Sequence, residues 1–264
     1  MDQSQRLDLL VRRFAEDSER YKAIDVGRTD DDKRITLRSL MNIRMPRPMD
    51  EDTLHVQDDY LTELAAEKGV VTPEELPAVG LLSVWQGDIT RLAADAIVNA
   101  ANSAMLGCFQ PMHNCIDNCI HTYAGIQLRA ECARQMAALR RQYGPDYQQP
   151  VSVPMLTPGY NLPAKHVIHI VGPIVEDAVT ETDRRALAAC YENTLDLCAE
   201  SGLRTVAFCC ISTGVFRFPK EEAAPLAVGT VRAWLAAHPG AMDRVIFSVH
   251  NDRDRALYNG LVHG

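Results

Sequence analysis

The chain has 264 residues, of which 47% are hydrophobic and 23% are charged, and its formal net charge is -8. This acidic balance argues against nucleic acid or another long polyanion as partner, because binding a phosphate backbone needs clustered lysine and arginine. A single small anion is compatible with it, since backbone N–H groups can hold an anion without basic side chains.

The start of the chain and the cysteines indicate the compartment. Met1–Leu10 mixes charged residues with apolar ones, so we expect no secretory signal. No apolar run is long enough to span a bilayer, so we expect no membrane association. Eight cysteines without such a signal argue against a disulfide framework and predict a reducing cytoplasm, where thiols bind metal, react or pack.

Residues 1–80 differ from the rest of the chain in the spacing of their apolar residues and are predicted to form a helical extension. Apolar residues at helical spacing predict one helix near Leu7–Phe14 and a second near Leu37–Met41. A third helix is predicted near Tyr60–Leu64. We assign no chemistry to this extension and predict the main domain at residues 81–264.

From residue 81 the pattern changes to short apolar, β-branched runs that alternate with longer amphipathic stretches. The runs predict strands at Leu81–Trp85, Ala96–Val98, Val151–Leu156, His166–Val171, Thr205–Cys209 and Val245–Val249. The amphipathic stretches predict helices at about 113–140, 184–201 and 219–237. This alternation predicts an α/β fold on a mostly parallel or mixed sheet, in which ligands bind beyond the carboxyl ends of the strands.

Four short segments lie at or after the ends of predicted strands. They are Gly87–Thr90 (GDIT), Asn99–Asn102 (NAAN), His169–Pro173 (HIVGP) and Ile211–Pro219 (ISTGVFRFP). Each segment alone is weak evidence, but in this order they resemble the macrodomain family, from residue 81 to about residue 260. The resemblance implies a three-layer α/β/α fold with a mixed sheet and a binding site for ADP-ribose.

The resemblance assigns parts of ADP-ribose to individual residues. Asp88, helped by the amide of Ile89, is expected to accept the amino group of adenine, although a helix N-cap or turn role is equally natural for Asp88. Backbone N–H groups of a loop before a helix are expected to cradle the diphosphate. This loop comprises Ser212, Thr213, Gly214, Val215 and Phe216. Asn102, Ile116 and Asp117 are expected at the distal ribose.

The residue expected to stack on adenine departs from the family pattern. Many relatives place an aromatic side chain after the last strand, where it stacks on adenine, whereas this chain has His250 in that segment. The sequence leaves two roles open for His250: stacking on adenine and a solvent-facing position.

Cys108, His113 and Cys115 lie within eight positions in the segment that follows Asn102. Two thiolates and an imidazole suit Zn²⁺, and three protein ligands leave one coordination position open, as in catalytic zinc sites. The spacing is not a standard zinc-finger pattern, so unrelated buried cysteines with a capping histidine are the alternative.

The segment from Gly107 to Gly125 resembles the zinc-dependent macrodomain subfamily. Leu37–Asn42 and Leu54–Asp58 also resemble the helical extension of that subfamily. The resemblance implies one zinc per chain, bound by Cys108, His113 and Cys115. Three neighbouring residues are expected to be structural: Cys119, His121 and Cys132.

The same resemblance implies a zinc-dependent protein-ADP-ribose hydrolase, a glycosidase-type enzyme that removes mono-ADP-ribose from modified protein side chains and releases ADP-ribose. Asn102 and Asp117 are the expected catalytic residues, although complementarity to a helix dipole accounts for Asp117 as well. Subfamily members are often encoded beside a sirtuin-type ADP-ribosyltransferase and lipoate-linked carrier proteins, so a lipoyl carrier protein is an expected substrate. The alternative is a module that binds ADP-ribose without cleaving it and uses zinc structurally.

Overall fold

Three helices precede the sheet in the computed structural model, which describes all 264 residues. They are α1 (Gln3–Glu16), α2 (Asp30–Ile43) and α3 (Glu51–Lys68). The residues before them, Asp2, Thr29 and Asp50, accept hydrogen bonds from first-turn N–H groups through their side chains, which fixes where each helix begins. Apolar residues of all three, such as Leu10 and Tyr60, share one core. The helices predicted for this segment are therefore confirmed.

Six strands form a single mixed sheet. They are β1 (Leu82–Gln86), β2 (Ala96–Ala100), β3 (Met155–Pro158), β4 (His166–Ile170), β5 (Thr205–Phe208) and β6 (Arg244–Val249). Their order in the sheet is β1-β6-β5-β2-β4-β3, and all neighbours are parallel except β3 with β4. The carboxyl ends of the parallel strands therefore meet at one edge, where the loops that follow them converge.

Helices cover both faces of the sheet. They are α4 (Ile116–Ala124), α5 (Ile126–Tyr143), α6 (Glu181–Glu200), α7 (Lys220–Ala237) and α8 (Asp252–His263). Successive strand residues point to opposite faces, so in β2 Val98 shares a core with α6, α7 and α8 while Ile97 shares one with α4 and α5. This arrangement confirms the three-layer α/β/α fold. None of the helices combines the length and the apolar character that a membrane span requires.

Three elements differ from their predictions. The stretch predicted as one helix over 113–140 contains two, because Gly125 adopts a φ of 92° and ends α4 before α5 begins. The strand predicted at Val151–Leu156 begins only at Met155, and Val151 forms an isolated bridge. The C-terminal helix α8 has no counterpart among the predicted helices.

One buried cation joins the N-terminal helices to those that cover the sheet. Arg129 on α5 is 5% exposed, and its Nη1 donates to the carbonyl oxygens of Met41, Asn42 and Arg44 at 3.0, 2.9 and 2.6 Å. Its Nε donates to the carbonyl oxygen of Leu106 at 2.7 Å. The last carbonyls of a helix have no partner within it, so Arg129 satisfies groups that burial would otherwise leave without a donor.

A second set of polar contacts lies along α3. Gln57 accepts from the backbone N–H of Ile126 at 3.1 Å and donates to Gln127 Oε1 at 2.7 Å. Asp58 accepts from Gln127 at 2.7 Å and from Asn161 at 2.8 Å. Because hydrogen bonds are directional, these contacts fix the orientation of the N-terminal helices on the rest of the chain.

Replacing Arg129 with alanine leaves four backbone carbonyls without this donor. Each unsatisfied buried group costs about 1–3 kcal/mol, so we expect Arg129→Ala to lower the free energy of unfolding in urea by more than about 3 kcal/mol. Arg129→Lys should give a smaller loss, because an ammonium keeps the charge. Some loss should remain, because the ammonium lacks the guanidinium fork. A loss under about 1 kcal/mol in Arg129→Ala, the size of an average substitution, would show that the helices dock without this contact.

Candidate active site

Two asparagines and one carboxylate meet where β2 ends and α4 begins. Asn99 donates through Nδ2 to Asp117 Oδ1 at 2.8 Å, and Asn102 donates through Nδ2 to Asp117 Oδ2 at 3.2 Å. Asn99 lies in β2, Asn102 in the loop that follows, and Asp117 in the first turn of α4. Each carboxylate oxygen therefore receives one amide N–H, which fixes the plane of the carboxylate.

Burial dominates the electrostatics of Asp117. Burial raises the pKa of its carboxyl to about 6, while the bond from Asn99, the charge of Arg129 and the bond from Asn102 lower that pKa. His121 Nε2 lies 3.6 Å from Asp117 Oδ1. Burial holds the pKa of His121 well below its usual value, so this imidazole is neutral and does not form an ion pair.

The side chain of Asn102 is largely occupied by its own loop. Its Nδ2 donates to the carbonyl oxygen of Gly107 at 3.1 Å as well as to Asp117, and its Oδ1 accepts from the N–H of Ala104 at 3.1 Å. An amide oxygen has two acceptor positions, so one remains for a ligand. Asn102 can therefore accept a hydrogen bond from a ligand hydroxyl, whereas both of its N–H groups are already used.

The three residues predicted to bind metal come together in the loop between β2 and α4. The ligand atoms of Cys108, His113 and Cys115 all lie within 4.8 Å of one another, and Cys108 Sγ is 3.5 Å from His113 Nδ1. Cys115 is the N-cap of α4, where its Sγ accepts from the N–H of Asn118 at 3.4 Å. All three residues are partly exposed, so the group can be reached from solvent.

The donor chemistry of this group fits zinc. Two thiols and an imidazole are ligands that zinc accepts readily, whereas magnesium and calcium prefer oxygen. Burial raises the pKa of the Cys115 thiol to about 12, and the neighbouring Cys108 adds to the shift. Because zinc binds the thiolate form, occupation of the group by zinc would release protons.

A second group of histidine and cysteine lies deeper in the molecule. The ligand atoms of His121, Cys132 and His169 also lie within 4.8 Å of one another, and all three residues are buried. His169 Nδ1 accepts from Asn99 Nδ2 at 3.1 Å, and His169 Nε2 lies 3.0 Å from Thr157 Oγ1. A metal bound through His169 would break one of these hydrogen bonds, so we interpret the group as a polar part of the core.

Asp88 caps the short 3₁₀ helix Ile89–Arg91 that follows β1. Its Oδ1 accepts from the Thr90 N–H at 3.0 Å and from the Thr90 hydroxyl at 2.6 Å. Its Oδ2 has no hydrogen bond and lies 3.9 Å from Lys68 Nζ, and the side chain is 39% exposed. The N-cap role weighed from the sequence is therefore present, and one carboxylate oxygen remains for a ligand. The side chain of Ile89 is buried, so only its backbone N–H can serve a ligand.

The loop predicted to cradle a diphosphate lies between β5 and α7. Of its five residues only Thr213 donates its N–H to another backbone group, the carbonyl of Cys210 at 3.3 Å. The other four residues, which make no such bond, are Ser212, Gly214, Val215 and Phe216. The side chain of Val215 is 73% exposed, so the loop lies at the surface. Successive N–H groups without internal partners form an anion-binding concavity.

The loop between β5 and α7 closely approaches the segment that follows β4. Ser212 has a φ of 63°, and its buried hydroxyl has no hydrogen-bond partner. A Cβ placed on Gly172, just after β4, would lie 2.1 Å from Ser212 Oγ and 2.8 Å from Ile211 Cγ2. Position 172 therefore has room only for glycine while Ser212 keeps this conformation.

Comparison with known proteins is consistent with this geometry. A family model described as Macro domain matches residues 98–227. A protein-ADP-ribose hydrolase of Treponema medium is 44% identical to this chain and covers 99% of it, and the chain covers 100% of that relative. The chain belongs to the macrodomain family.

The similarity to other proteins extends beyond the macrodomain sheet. A protein-ADP-ribose hydrolase of Staphylococcus aureus (strain MSSA476) is 45% identical over 84% of this chain and 81% of its own length. The crystal structure of the Trypanosoma brucei macrodomain in complex with ADP-ribose superposes with a TM-score of 0.64 at 29% identity, covering 85% of this chain and 94% of that one. Since the Treponema relative spans 99% of the chain, its similarity includes the N-terminal helices.

Two residues that shape this macrodomain site were not identified from the sequence. Asn99 belongs to the NAAN segment, and only strand alternation, which turns it toward α4 and α5, indicates its place beside Asp117. Arg129 lies in a predicted helix and gives no local signal, because its partners in the last turn of α2 and directly after it are 85 to 88 residues away in the chain. His250, whose role the sequence left open, is exposed.

In this macrodomain we expect Gly172→Ala to lower the free energy of unfolding in urea. Ile211 and Ser212 must shift to admit the methyl group, and such overpacking costs about 1–3 kcal/mol. Adding Ser212→Gly should recover part of the loss, because it removes the 2.1 Å clash and glycine tolerates a φ of 63°. Strictly additive losses in the double variant would show that the two loops do not compete for this space.

Proposed function

We propose that this macrodomain is a zinc-dependent hydrolase that removes mono-ADP-ribose from modified protein side chains. One observation carries the proposal: the loop between β2 and α4 brings the predicted metal donors next to the Asn102–Asp117 pair. Asn102 donates to the carbonyl of Gly107, which directly precedes Cys108, and Asp117 follows Cys115 by two residues in the first turn of α4. The metal donors therefore adjoin the Asn102–Asp117 pair at both ends of the loop.

The names of relatives support the reaction and the ligand. The Treponema medium and Staphylococcus aureus relatives are named protein-ADP-ribose hydrolases, and the Trypanosoma brucei macrodomain was crystallised with ADP-ribose. In this chain we assign adenine to Asp88 and the N–H of Ile89, and the diphosphate to the N–H groups of residues 212–216. The distal ribose is assigned to Asn102, Ile116 and Asp117.

The residues of the chain orient the distal ribose by accepting hydrogen bonds. Each oxygen of Asp117 receives one N–H and keeps a further acceptor position, as does Asn102 Oδ1. Two side chains with fixed acceptor oxygens select a hydroxyl-bearing ring and hold it in one orientation. Cys108, His113 and Cys115 would hold zinc, which would supply Lewis-acid chemistry beside these residues. In the overall reaction, water gives its hydroxyl to the ribose carbon and its proton to the departing side chain.

We expect about one zinc per chain in protein purified without added metal, as a three-ligand set implies.

His113→Ala should abolish most release of ADP-ribose from a mono-ADP-ribosylated protein. The imidazole has a single polar contact, with Cys108, so the variant should still unfold cooperatively. Its affinity for free ADP-ribose should change less, because Asp88 and residues 212–216 are untouched. Elemental analysis, product release and calorimetry measure these effects, with a modified lipoyl carrier protein among the substrates.

The control is His55→Ala, which removes an exposed histidine of α3 and should leave zinc content and activity unchanged. Activity that survives complete removal of zinc by a chelator would contradict zinc dependence. A chain that binds zinc and ADP-ribose but releases no ADP-ribose from any modified protein would instead be a reader module with a structural metal. Unfolding of His113→Ala would likewise indicate a structural role for the metal.

Asp88→Asn tests the adenine assignment without removing the helix cap, because an amide oxygen can still accept from Thr90. Loss of a charged hydrogen-bond partner costs about 1.5–3 kcal/mol, so the affinity for free ADP-ribose should fall roughly 10- to 150-fold. Calorimetry measures this change, and Asp88→Ala should weaken binding at least as much. Unchanged affinity in an Asp88→Asn chain that melts normally would leave Asp88 as a cap residue only.

A further inference from the structure

Helix α2 of the N-terminal segment contacts the loop that carries the predicted zinc donors. Arg38 Nη2 donates to the carbonyl oxygen of His113 at 2.9 Å and to Asn118 Oδ1 at 3.1 Å. One turn further along α2, Asn42 Oδ1 accepts from the N–H of Met112 at 3.1 Å. Residues four apart lie on the same face of a helix, so one face of α2 supplies both contacts.

The loop depends on such contacts because it has little structure of its own. Between Cys108 and Cys115 a single backbone hydrogen bond forms within the loop, from the N–H of His113 to the carbonyl of Gln110 at 3.3 Å. Met112 has a φ of 59°, a conformation that a non-glycine residue adopts only when its surroundings hold it there.

Asn118 holds the beginning of the loop from the other side. It is fully buried in α4, and its Nδ2 donates to the carbonyl oxygens of Cys108 and Gln110 at 3.3 and 2.9 Å. Its Oδ1 accepts from Arg38, so the two attachments are connected. The loop backbone is therefore held from α4 near its start and from α2 near its end.

Arg129 adds a third attachment. Its guanidinium lies over the ring of Phe109, 4.3 Å from the centroid, and its Nε donates to the carbonyl of Leu106. The same guanidinium donates to the carbonyl of Asn42 at 2.9 Å. The end of α2 and the start of the loop are thus bound to one cation, which fixes their relative position.

We propose that Arg38 and Asn42 are positioning residues that hold the Cys108–Cys115 loop in the conformation that binds zinc, so that the N-terminal helices form part of the metal site. This inference rests on the proposed function. Both side chains bond to the loop backbone, which leaves the thiols and the imidazole available as ligands. Ordering a free loop on binding costs conformational entropy, and a loop already ordered by α2 avoids much of that cost.

The burial of Asn42 distinguishes positioning from simple coverage of the loop. Asn42 is 1% exposed, and a buried amide is unfavourable unless its polar atoms are paired. Its Oδ1 takes the Met112 N–H, and its Nδ2 donates to Thr122 Oγ1 on α4 at 2.9 Å. A helix that only covered the loop would gain more from an apolar side chain here, so the amide matches one particular loop conformation.

The test measures the zinc affinity of the full chain by competition with a chelating dye. Arg38→Ala removes a charged donor to the loop and should raise the zinc dissociation constant at least about tenfold. Arg38→Lys should recover part of this loss, and Asn42→Ser should also weaken zinc binding. The matched control is Arg6→Ala, since Arg6 on α1 pairs with Asp59 and Glu63 within the N-terminal helices. Arg6→Ala should change zinc affinity by less than about twofold, as expected for a partly exposed ion pair away from the loop.

Activity at two zinc concentrations separates positioning from loss of fold. With limiting zinc, Arg38→Ala should release ADP-ribose in proportion to its lower zinc occupancy, and saturating zinc should restore most of kcat. Affinity for free ADP-ribose should remain within about twofold of wild type, because the assigned adenine and diphosphate groups do not contact α2. Thermal unfolding should stay cooperative, and if Arg38→Ala does not fold, Arg38→Lys carries the same comparison.

The outcomes distinguish this inference from the proposed function. Zinc affinity in Arg38→Ala and Asn42→Ser equal to that of Arg6→Ala would overturn the positioning role and leave the proposed function intact. A wild-type chain that binds no zinc would overturn both. Weaker zinc binding in both variants, with rescue of activity by added zinc, would support the assignment of α2 to the metal site.

Discussion

The buried guanidinium of Arg129 holds together the parts on which the candidate active site depends. Burial lowers its pKa to about 10, with the Asp117 carboxylate acting in the opposite direction, so it remains charged at neutral pH. Its hydrogen-bond partners are backbone carbonyls at the end of α2 and in the loop after β2. Since the acceptors belong to the backbone, the contact constrains where helix and loop lie whatever side chains they carry. The N-terminal helices, the segment that leads into the Cys108–Cys115 loop and α5 are therefore all held by this one side chain.

In the proposed complex the two ends of the site recognise ADP-ribose by opposite chemistry. The diphosphate end offers backbone donors from the loop after β5, which suit anionic oxygens. The distal end offers acceptors, namely the carboxylate of Asp117 and the amide oxygen of Asn102, which suit ribose hydroxyls. A chain with a net charge of -8 can bind a dianionic ligand in this way, because the donors that face the phosphates are peptide groups.

The sequence predicts what residue type and local period determine. Buried runs such as Ala96–Val98 indicate strands because they are short, apolar and flanked by turns, and a mostly parallel sheet follows from their alternation with helices. The break at Gly125 is less visible, since a single glycine is tolerated within a helix and only its φ of 92° ends α4 here. Arg38 and Arg129 give no local signal, because the carbonyls through which they join α2 to the rest of the chain are at least 75 residues away from them in sequence. The ligand and metal assignments of individual residues stay predictions, because they concern groups outside the chain.

The Cys108–Cys115 loop has almost no internal hydrogen bonds, and this affects whether it can be transferred to another protein. A motif that holds its own shape can be moved between proteins, whereas this one takes its shape from side chains on two separate helices. Grafting the Cys–His–Cys segment onto a macrodomain without the N-terminal helices would transfer the three candidate ligands without the contacts that hold their loop. With α2 assigned to the metal site, loop and helix form one structural unit, and a library that randomises the loop alone would sample mostly conformations that α2 does not accept.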